Sequence, residues 1–317
     1  MRMNKLNNIL VTLPLDKEQK VKIESVSPAS QFIYRPASQV EESEIGNYDA
    51  ILGNVPVELL KHAEQLKWNQ LGGVGTEGYD QPGAMPEKAV LTNAAGAYGR
   101  AVAGQAFGML WTLMKKLHLY RDNQNRHIWK PLGQVQSVEG KTALLLGFGD
   151  IGRTFASYLK PFDVHIIGVN TSGKSHPLAD EMYTLAELNQ LIPQADIIMI
   201  SLPGTSKTEK IMGREQLNLM KETAILLNVG RGMTVDLDAL CQIAGEGRIW
   251  GAGLDVLAIE PLPAGHPAWT NPNILISPHV AGGFYLPYTL EQVVEITCKN
   301  LKAYQEGQFM QNVIVQA

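Results

Sequence analysis

Three side chains in the second half of the chain have the types and setting for proton-coupled chemistry. Arg231 lies in LLNVGRG (226–232), Glu260 in GLDVLAIEPLP (253–263) and His279 in NILISPHVAGG (273–283). An imidazole gives and takes a proton near neutral pH, so His279 suits a general acid that neutralises charge developing on a carbonyl oxygen. Glu260 beside it would stabilise the imidazolium and fix its tautomer. Arg231 offers a permanent, forked charge to a carboxylate and to a polarised carbonyl. Singly, each has a structural reading: Arg231 as a strand-end cap, Glu260 before Pro261 as a solvated loop acid, His279 after Pro278 as a satisfied loop histidine. Taken jointly, they point to catalysis.

A second constellation is LLLGFGDIG (144–152). Thr142–Leu146 is a continuous apolar run, the pattern of a strand buried on both faces. Gly147 permits a tight turn, Gly149 lets a pyrophosphate approach the backbone, and Gly152 lets a helix pack on the strand. Arg153–Lys160 continues as that helix, so the N–H groups of Asp150 and Ile151 would face an anion at its positive end. A glycine-lined turn is the structural alternative. The next strand ends in Asn170 where many dinucleotide sites place an acid, and no acid precedes Asp180. A neutral Asn170 with Thr171, Ser172, Lys174 and His176 favours NADP over NAD, since these groups supply donors and charge for a 2′-phosphate. The alternative is that Asn170 only hydrogen-bonds the ribose of NAD.

These residues need a scaffold, and the chain alternates short β-rich runs with helical patterns, the rhythm of parallel sheets with crossover helices. Strands are expected at Ile9–Leu13, Gln31–Arg35, Ala50–Gly53, Trp68–Leu71, Thr142–Gly147, Val164–Val169, Asp196–Ser201, Thr223–Val229, Trp250–Leu254 and Ile274–Ser277. Apolar spacing predicts a helix over Gly99–His118, followed by a polar stretch from Arg121 to Gly140 and a final helix at about Leu290–Gly307. The fresh start at Gly140 predicts a nucleotide-type domain, residues 101–283, inserted into an α/β unit made of 1–100 and 284–317. Two Rossmann-like or flavodoxin-like α/β domains with parallel sheets follow, with the active site in the cleft between them.

Composition narrows the classes. The chain has 317 residues, 45% hydrophobic, and a net charge of −4. No basic run marks a nucleic-acid or membrane surface, and no apolar stretch reaches the roughly 20 residues of a membrane span. ILVTLPL (9–15) is short and broken by Pro14, so it reads as a strand rather than a signal peptide. Cys241 and Cys298 lack CxxC spacing, which suits a reducing cytoplasm and argues against a thiolate metal site.

The ordered set LLNVGRG, GLDV…EPLP and SPHVAGG resembles the D-2-hydroxyacid dehydrogenase family over roughly residues 70–283. That resemblance implies a nicotinamide-dependent reductase of small 2-oxo acids, of the glyoxylate/hydroxypyruvate reductase kind. It places the family's catalytic trio on Arg231, Glu260 and His279. It places the cofactor loop on LPGTSKTEKI (202–211), with Leu202, Pro203 and Thr208, and further cofactor contacts on Val229, Gly230, Arg231, Asp255 and His279. The loop LGGVGTEGYD (71–80) resembles the one whose main-chain N–H groups hold the substrate carboxylate; Val74 and Gly75 are the choices, an ordinary glycine turn being the alternative. Homodimerisation through the helix after Gly99 and the polar segment to Gly140 is implied as well. Glu260 argues against formate dehydrogenase relatives, which carry Gln there, and no added C-terminal domain of the longer phosphoglycerate dehydrogenases is expected. Gly104 stands where many relatives carry Glu, a departure from the family pattern on the substrate side. A rival of another class is a dinucleotide-sensing binding protein of the corepressor type on the same fold.

Overall fold

The computed structural model describes residues 4–76 and 78–315. Two compact units emerge: one takes the chain up to Tyr98 and again from Phe284, the other is continuous from Gly99 to Gly283. In chain order the strands and helices are β1 (Asn8–Val11), α1 (Lys17–Val26), β2 (Gln31–Tyr34), α2 (Glu42–Ile45), β3 (Ala50–Leu52), α3 (Val57–Leu60), β4 (Trp68–Gln70) and β5 (Val90–Thr92). Then come α4 (Gly99–Met114), α5 (Leu117–Asn125), β6 (Thr142–Leu146), α6 (Asp150–Leu159), β7 (His165–Val169), β8 (Glu181–Tyr183), α7 (Leu188–Leu191) and β9 (Ile197–Ile200). The last are α8 (Arg214–Asn218), β10 (Ile225–Asn228), α9 (Leu237–Gly245), β11 (Gly251–Leu254), β12 (Ile274–Ile276), α10 (Pro287–Glu306) and β13 (Val313–Val315). No helix among the described residues is long and apolar enough to cross a membrane.

The discontinuous unit holds a six-stranded sheet in the order β13-β5-β4-β3-β1-β2, parallel except where β13 runs antiparallel to β5. Asp16 starts α1 with a reciprocal cap: its carboxylate accepts from the Gln19 N–H at 2.8 Å, and Gln19 Oε1 accepts from the Asp16 N–H at 3.1 Å. A buried polar network fastens α10 to this sheet. Trp68 Nε1 donates to Thr92 Oγ1, and both Thr92 Oγ1 and Asn300 Nδ2 donate to Gln70 Oε1 at 2.8 Å. Asn300 also accepts the Gln311 N–H through Oδ1 at 2.8 Å, which ties the approach to β13 into the same cluster.

The continuous unit holds a seven-stranded, fully parallel sheet in the order β12-β11-β10-β9-β6-β7-β8. The central strands Ala143–Leu146, Ile197–Ile200 and Ile225–Asn228 are buried along their whole length, as their unbroken apolar runs dictate. Chain order reverses at β6, which lies between β9 and β7, so the crevice for a ligand falls at the carboxyl ends of these strands.

The structure departs from sequence expectation in several elements. The helix expected through His118 stops at Met114, because Lys116 takes a left-handed backbone, φ 57°. Two lysines stitch this break to the chain beyond it: Lys115 Nζ donates to the Gln136 carbonyl and Lys116 Nζ to the Leu132 carbonyl. The polar stretch opens as a further helix, α5, before running on without regular structure. Strands β5, β8 and β13, each three residues long, were not expected.

Candidate active site

Every candidate residue of the continuous unit stands at the carboxyl edge of its parallel sheet. Crossing that edge in spatial order, β12 leads to His279, β11 to Asp255 and Glu260, β10 to Arg231, β9 to Leu202, β6 to the glycine turn and β7 to Asn170.

At one end, His279 Nδ1 lies 2.8 Å from Glu260 Oε2. A carboxylate only accepts, so Nδ1 carries the proton of this contact and Nε2 is the ring nitrogen left to face a reactant. Glu260 is held in turn, since its Oε1 accepts the Leu257 N–H at 2.8 Å. The backbone of His279 is left-handed, φ 53°, and its N–H donates to the Asp255 carbonyl at 2.8 Å. Asp255 is buried, and its carboxylate accepts from Ser277 Oγ and from the N–H groups of Val280 at 3.2 Å and Ala281 at 3.0 Å. That carboxylate is therefore turned into the 277–281 loop.

Arg231 sits on a loop fastened by Asn228, which is fully buried at the end of β10. Asn228 Nδ2 donates to the Arg231 carbonyl at 3.1 Å, and Asn228 Oδ1 accepts the Gly230 N–H at 3.1 Å. Arg231 Nη1 donates to the Gly230 carbonyl at 2.9 Å. The residue after it has no room for a side chain: a Cβ on Gly232 would lie 1.9 Å from the Leu257 carbonyl carbon. The loop of Arg231 thus crosses directly against the segment that carries Glu260, which brings β10 and β11 chemistry into register.

At the other end, the glycines of GFGDIG do three different jobs. Gly147 has φ 98°, and a Cβ on Gly152 would lie 2.1 Å from the Gly147 carbonyl oxygen, so helix and strand meet there at backbone contact. A Cβ on Gly149 would meet no atom within 4 Å, and no side chain caps α6. Among the described residues the N–H groups of Asp150 and Ile151 find no acceptor, so an open, positive helix end is presented. These features fit a dinucleotide pyrophosphate.

Asn170 is organised as a turn. Its Oδ1 accepts the N–H groups of Ser172 at 2.9 Å and Gly173 at 2.7 Å, and the Ser172 hydroxyl at 3.2 Å. Those backbone donors fix the oxygen inward, leaving the amide NH2 as the group that faces outward. Thr171, Ser172 and Lys174 are exposed. His176 accepts the Leu178 N–H at Nδ1 and packs edge-on against Phe148, so its other ring nitrogen is a donor. In the loop after β9, Thr208 is buried and its hydroxyl donates to the Pro203 carbonyl at 2.7 Å, shaping the loop from inside; Leu202 and Val229 are buried at the strand ends.

In the discontinuous unit, Val74 and Gly75 follow β4. The loop is pinned from behind: Asn93 Nδ2 donates to the Val74 carbonyl at 2.8 Å, Tyr98 Oη to the Gly72 carbonyl, and the Gly72 N–H to Asn54 Oδ1 at 3.0 Å. Among the described residues the N–H groups of Val74 and Gly75 have no acceptor. Sequence reasoning missed Asn228 and Ser277, which hold loops; only Ser277, directly before Pro278-His279, carried a local signal.

Residues 107–281 match the family model described as D-isomer specific 2-hydroxyacid dehydrogenase, NAD binding domain. A glyoxylate reductase of Thermofilum pendens is 31% identical over 278 residues, covering 83% of this chain and 80% of that protein. A glyoxylate/hydroxypyruvate reductase B of Pectobacterium carotovorum is 29% identical, covering 88% and 87%. Among solved structures, a D-isomer specific 2-hydroxyacid dehydrogenase family protein of Aeromonas salmonicida superposes with a TM-score of 0.86 at 29% identity, covering 98% of this chain and 99% of that one. With its sheet order, its glycine turn and this breadth of likeness, the chain belongs to the D-isomer specific 2-hydroxyacid dehydrogenase family of nicotinamide-dependent oxidoreductases.

Proposed function

We propose that this protein reduces a short 2-oxo acid, glyoxylate or hydroxypyruvate, to the D-2-hydroxy acid, with NADPH preferred to NADH. The observation that carries the reading is the His279–Glu260 pair on the sheet edge that also bears Arg231. A bound reduced nicotinamide supplies the hydride. His279 delivers a proton from Nε2 to the carbonyl oxygen, while Glu260 at Nδ1 stabilises the charged ring. Arg231 holds the substrate carboxylate and polarises the carbonyl, and the amides of Val74 and Gly75 are assigned to that carboxylate as well. In this reading Asp150, Ile151, Gly147, Gly149 and Gly152 would hold the pyrophosphate, and Leu202, Pro203, Thr208, Val229 and Gly230 would supply further contacts to the dinucleotide. The relatives named as glyoxylate reductases support the substrate class.

The NADPH preference rests on Asn170. Its oxygen is spent on its own turn, so the groups it and its neighbours turn outward are donors: the Asn170 NH2, the Thr171 hydroxyl, Lys174 and His176. A phosphate suits such a surface better than bare ribose hydroxyls do. We assign the protein a homodimeric state, because Trp129 is wholly exposed and stands with Tyr120 and Ile128 around a hollow of about 660 Å³ beyond α5. Turnover of glyoxylate, hydroxypyruvate and pyruvate with NADPH and with NADH tests the proposal. Reduction of none of them with either cofactor would refute it and leave a dinucleotide-sensing binding protein as the reading.

A further inference from the structure

The backbone of His279 adopts a left-handed conformation that residues other than glycine rarely take, so something must hold it there. Asp255 does most of the holding. Its carbonyl takes the His279 N–H, and its carboxylate takes the N–H groups of Val280 and Ala281 and the hydroxyl of Ser277. A loop clamped at four points by one residue turns with that residue. Asp255 is 2% exposed, and a carboxylate so deeply buried keeps its place only while its oxygens are supplied with donors.

Among the described residues Ser277 supplies the one side-chain donor, and its proton is directed by a second group. Gln105, on α4, places Nε2 3.2 Å from Ser277 Oγ. The hydroxyl gives its only proton to the acceptor-only carboxylate, so the group facing it from Gln105 must be the NH2. Gln105 thus fills the acceptor side of the hydroxyl and leaves the proton one destination. The helix makes this contact through position 105 and not through position 104: Gly104 is exposed, and a Cβ there would meet nothing within 4 Å.

We infer that Gln105 and Ser277 are positioning residues, a relay from α4 that aligns His279 through Asp255. The inference rests on His279 being the proton donor proposed above. Misplacing a reacting group by about 1 Å costs roughly a hundredfold in rate, whereas the glycine turn and Asn170 lie on other strands and hold the dinucleotide independently. The relay therefore predicts losses in kcat with KM for NADPH little changed.

The experiment is steady-state reduction of glyoxylate with NADPH by Ser277→Ala, Ser277→Thr, Gln105→Ala and the Q105A/S277A double variant, with His279→Ala as reference and thermal unfolding of each. Ser277→Ala is expected to lower kcat about ten- to a hundredfold. Ser277→Thr, which keeps the hydroxyl, should recover most of that loss. Gln105→Ala should lose less, and the double variant should be no slower than Ser277→Ala, because Gln105 reaches Asp255 only through the hydroxyl. Wild-type kcat in Ser277→Ala, losses that multiply in the double variant, or a loss that Ser277→Thr fails to restore while the unfolding midpoint drops would each overturn the relay. Full turnover by His279→Ala would instead remove the acid assignment, so the two failures are read separately.

Discussion

Gly232→Ala is a sharp test of how the Arg231 loop and the Glu260 loop are coupled. The added methyl carbon would stand 1.9 Å from the Leu257 carbonyl carbon, 2.2 Å from its oxygen and 2.3 Å from the Ala258 nitrogen, where ordinary contact begins at 3.4 Å. The largest shortfall is about 1.5 Å, and every opposing atom is backbone, so no rotamer change relieves it. Either the Arg231 loop retreats or the Leu257–Ala258 segment does. Glu260 follows the second movement directly, because its Oε1 is bonded to the Leu257 N–H. A displacement of this size should cost about a hundredfold in kcat/KM. Overpacking strain should also remove about 1–3 kcal/mol of stability. At roughly 2–4 °C per kcal/mol for a unit of this size, the midpoint should drop by several degrees. The assay is kcat/KM for glyoxylate beside calorimetric unfolding, with Gly265→Ala as the control, since a methyl there meets nothing within 4 Å. Wild-type kcat/KM together with an unchanged midpoint in Gly232→Ala would refute the coupling.

His279→Ala should lower kcat by about 10²–10⁴ while cofactor binding, read by nicotinamide fluorescence, stays near wild type; a wild-type kcat would mean another group is the acid. Asn170→Asp keeps both backbone bonds of its turn, since a carboxylate accepts them equally, and adds one negative charge. The ratio of kcat/KM for NADPH over NADH should then fall by roughly ten- to a hundredfold, about 1–3 kcal/mol of partly screened repulsion, and an unmoved ratio would count against a phosphate at this turn. Gly149→Ala should raise KM for the dinucleotide with no change in unfolding midpoint, because the open space it fills is the space assigned to the pyrophosphate in the proposed function; equal losses in both would show that the position is structural instead. Burial alone would push the Asp49 carboxyl up, but Lys67 and the N–H groups of Asn7 and Asn8 hold it below its ordinary value of 3.8. Asp49→Asn should therefore lower stability at about pH 7, and the gap to wild type should close as pH falls below about 4, through the depressed value, in denaturant unfolding; no gap at neutral pH would remove that assignment.

The architecture was legible where the apolar runs were long. Thr142–Leu146 and the run around Ile225–Asn228 are buried on both faces, so their composition alone marks them as central parallel strands. Strands β5, β8 and β13 escaped because three residues are too few for a period; pairing with a neighbour, not local propensity, makes them strands. The break at Lys116 escaped for a similar reason. Its apolar spacing continues past Met114, and the break is held by contacts from Lys115 to Gln136 and from Lys116, the left-handed residue, to Leu132, both far along the chain. Of the proposed site, the residues assigned to the chemistry have distinctive side chains in short motifs, so Arg231, Glu260 and His279 stand out. Asn228 and Gln105 act through hydrogen bonds to loops, and no spacing announces that.

The split of the first unit sets a schedule for folding. Its sheet needs β13, and its buried network needs Asn300 and Gln311, all of which follow the complete inserted unit. At about 5–20 residues per second of synthesis, the 99–283 segment imposes a wait on the order of 10–40 seconds between the two halves. During that interval the β5 edge has no strand beside it and Trp68 has no Tyr304 ring stacked over it, 6.0 Å away in the finished fold. The nascent chain is thus most exposed to mispairing at β5, while the inserted unit, local in sequence, is free to fold first.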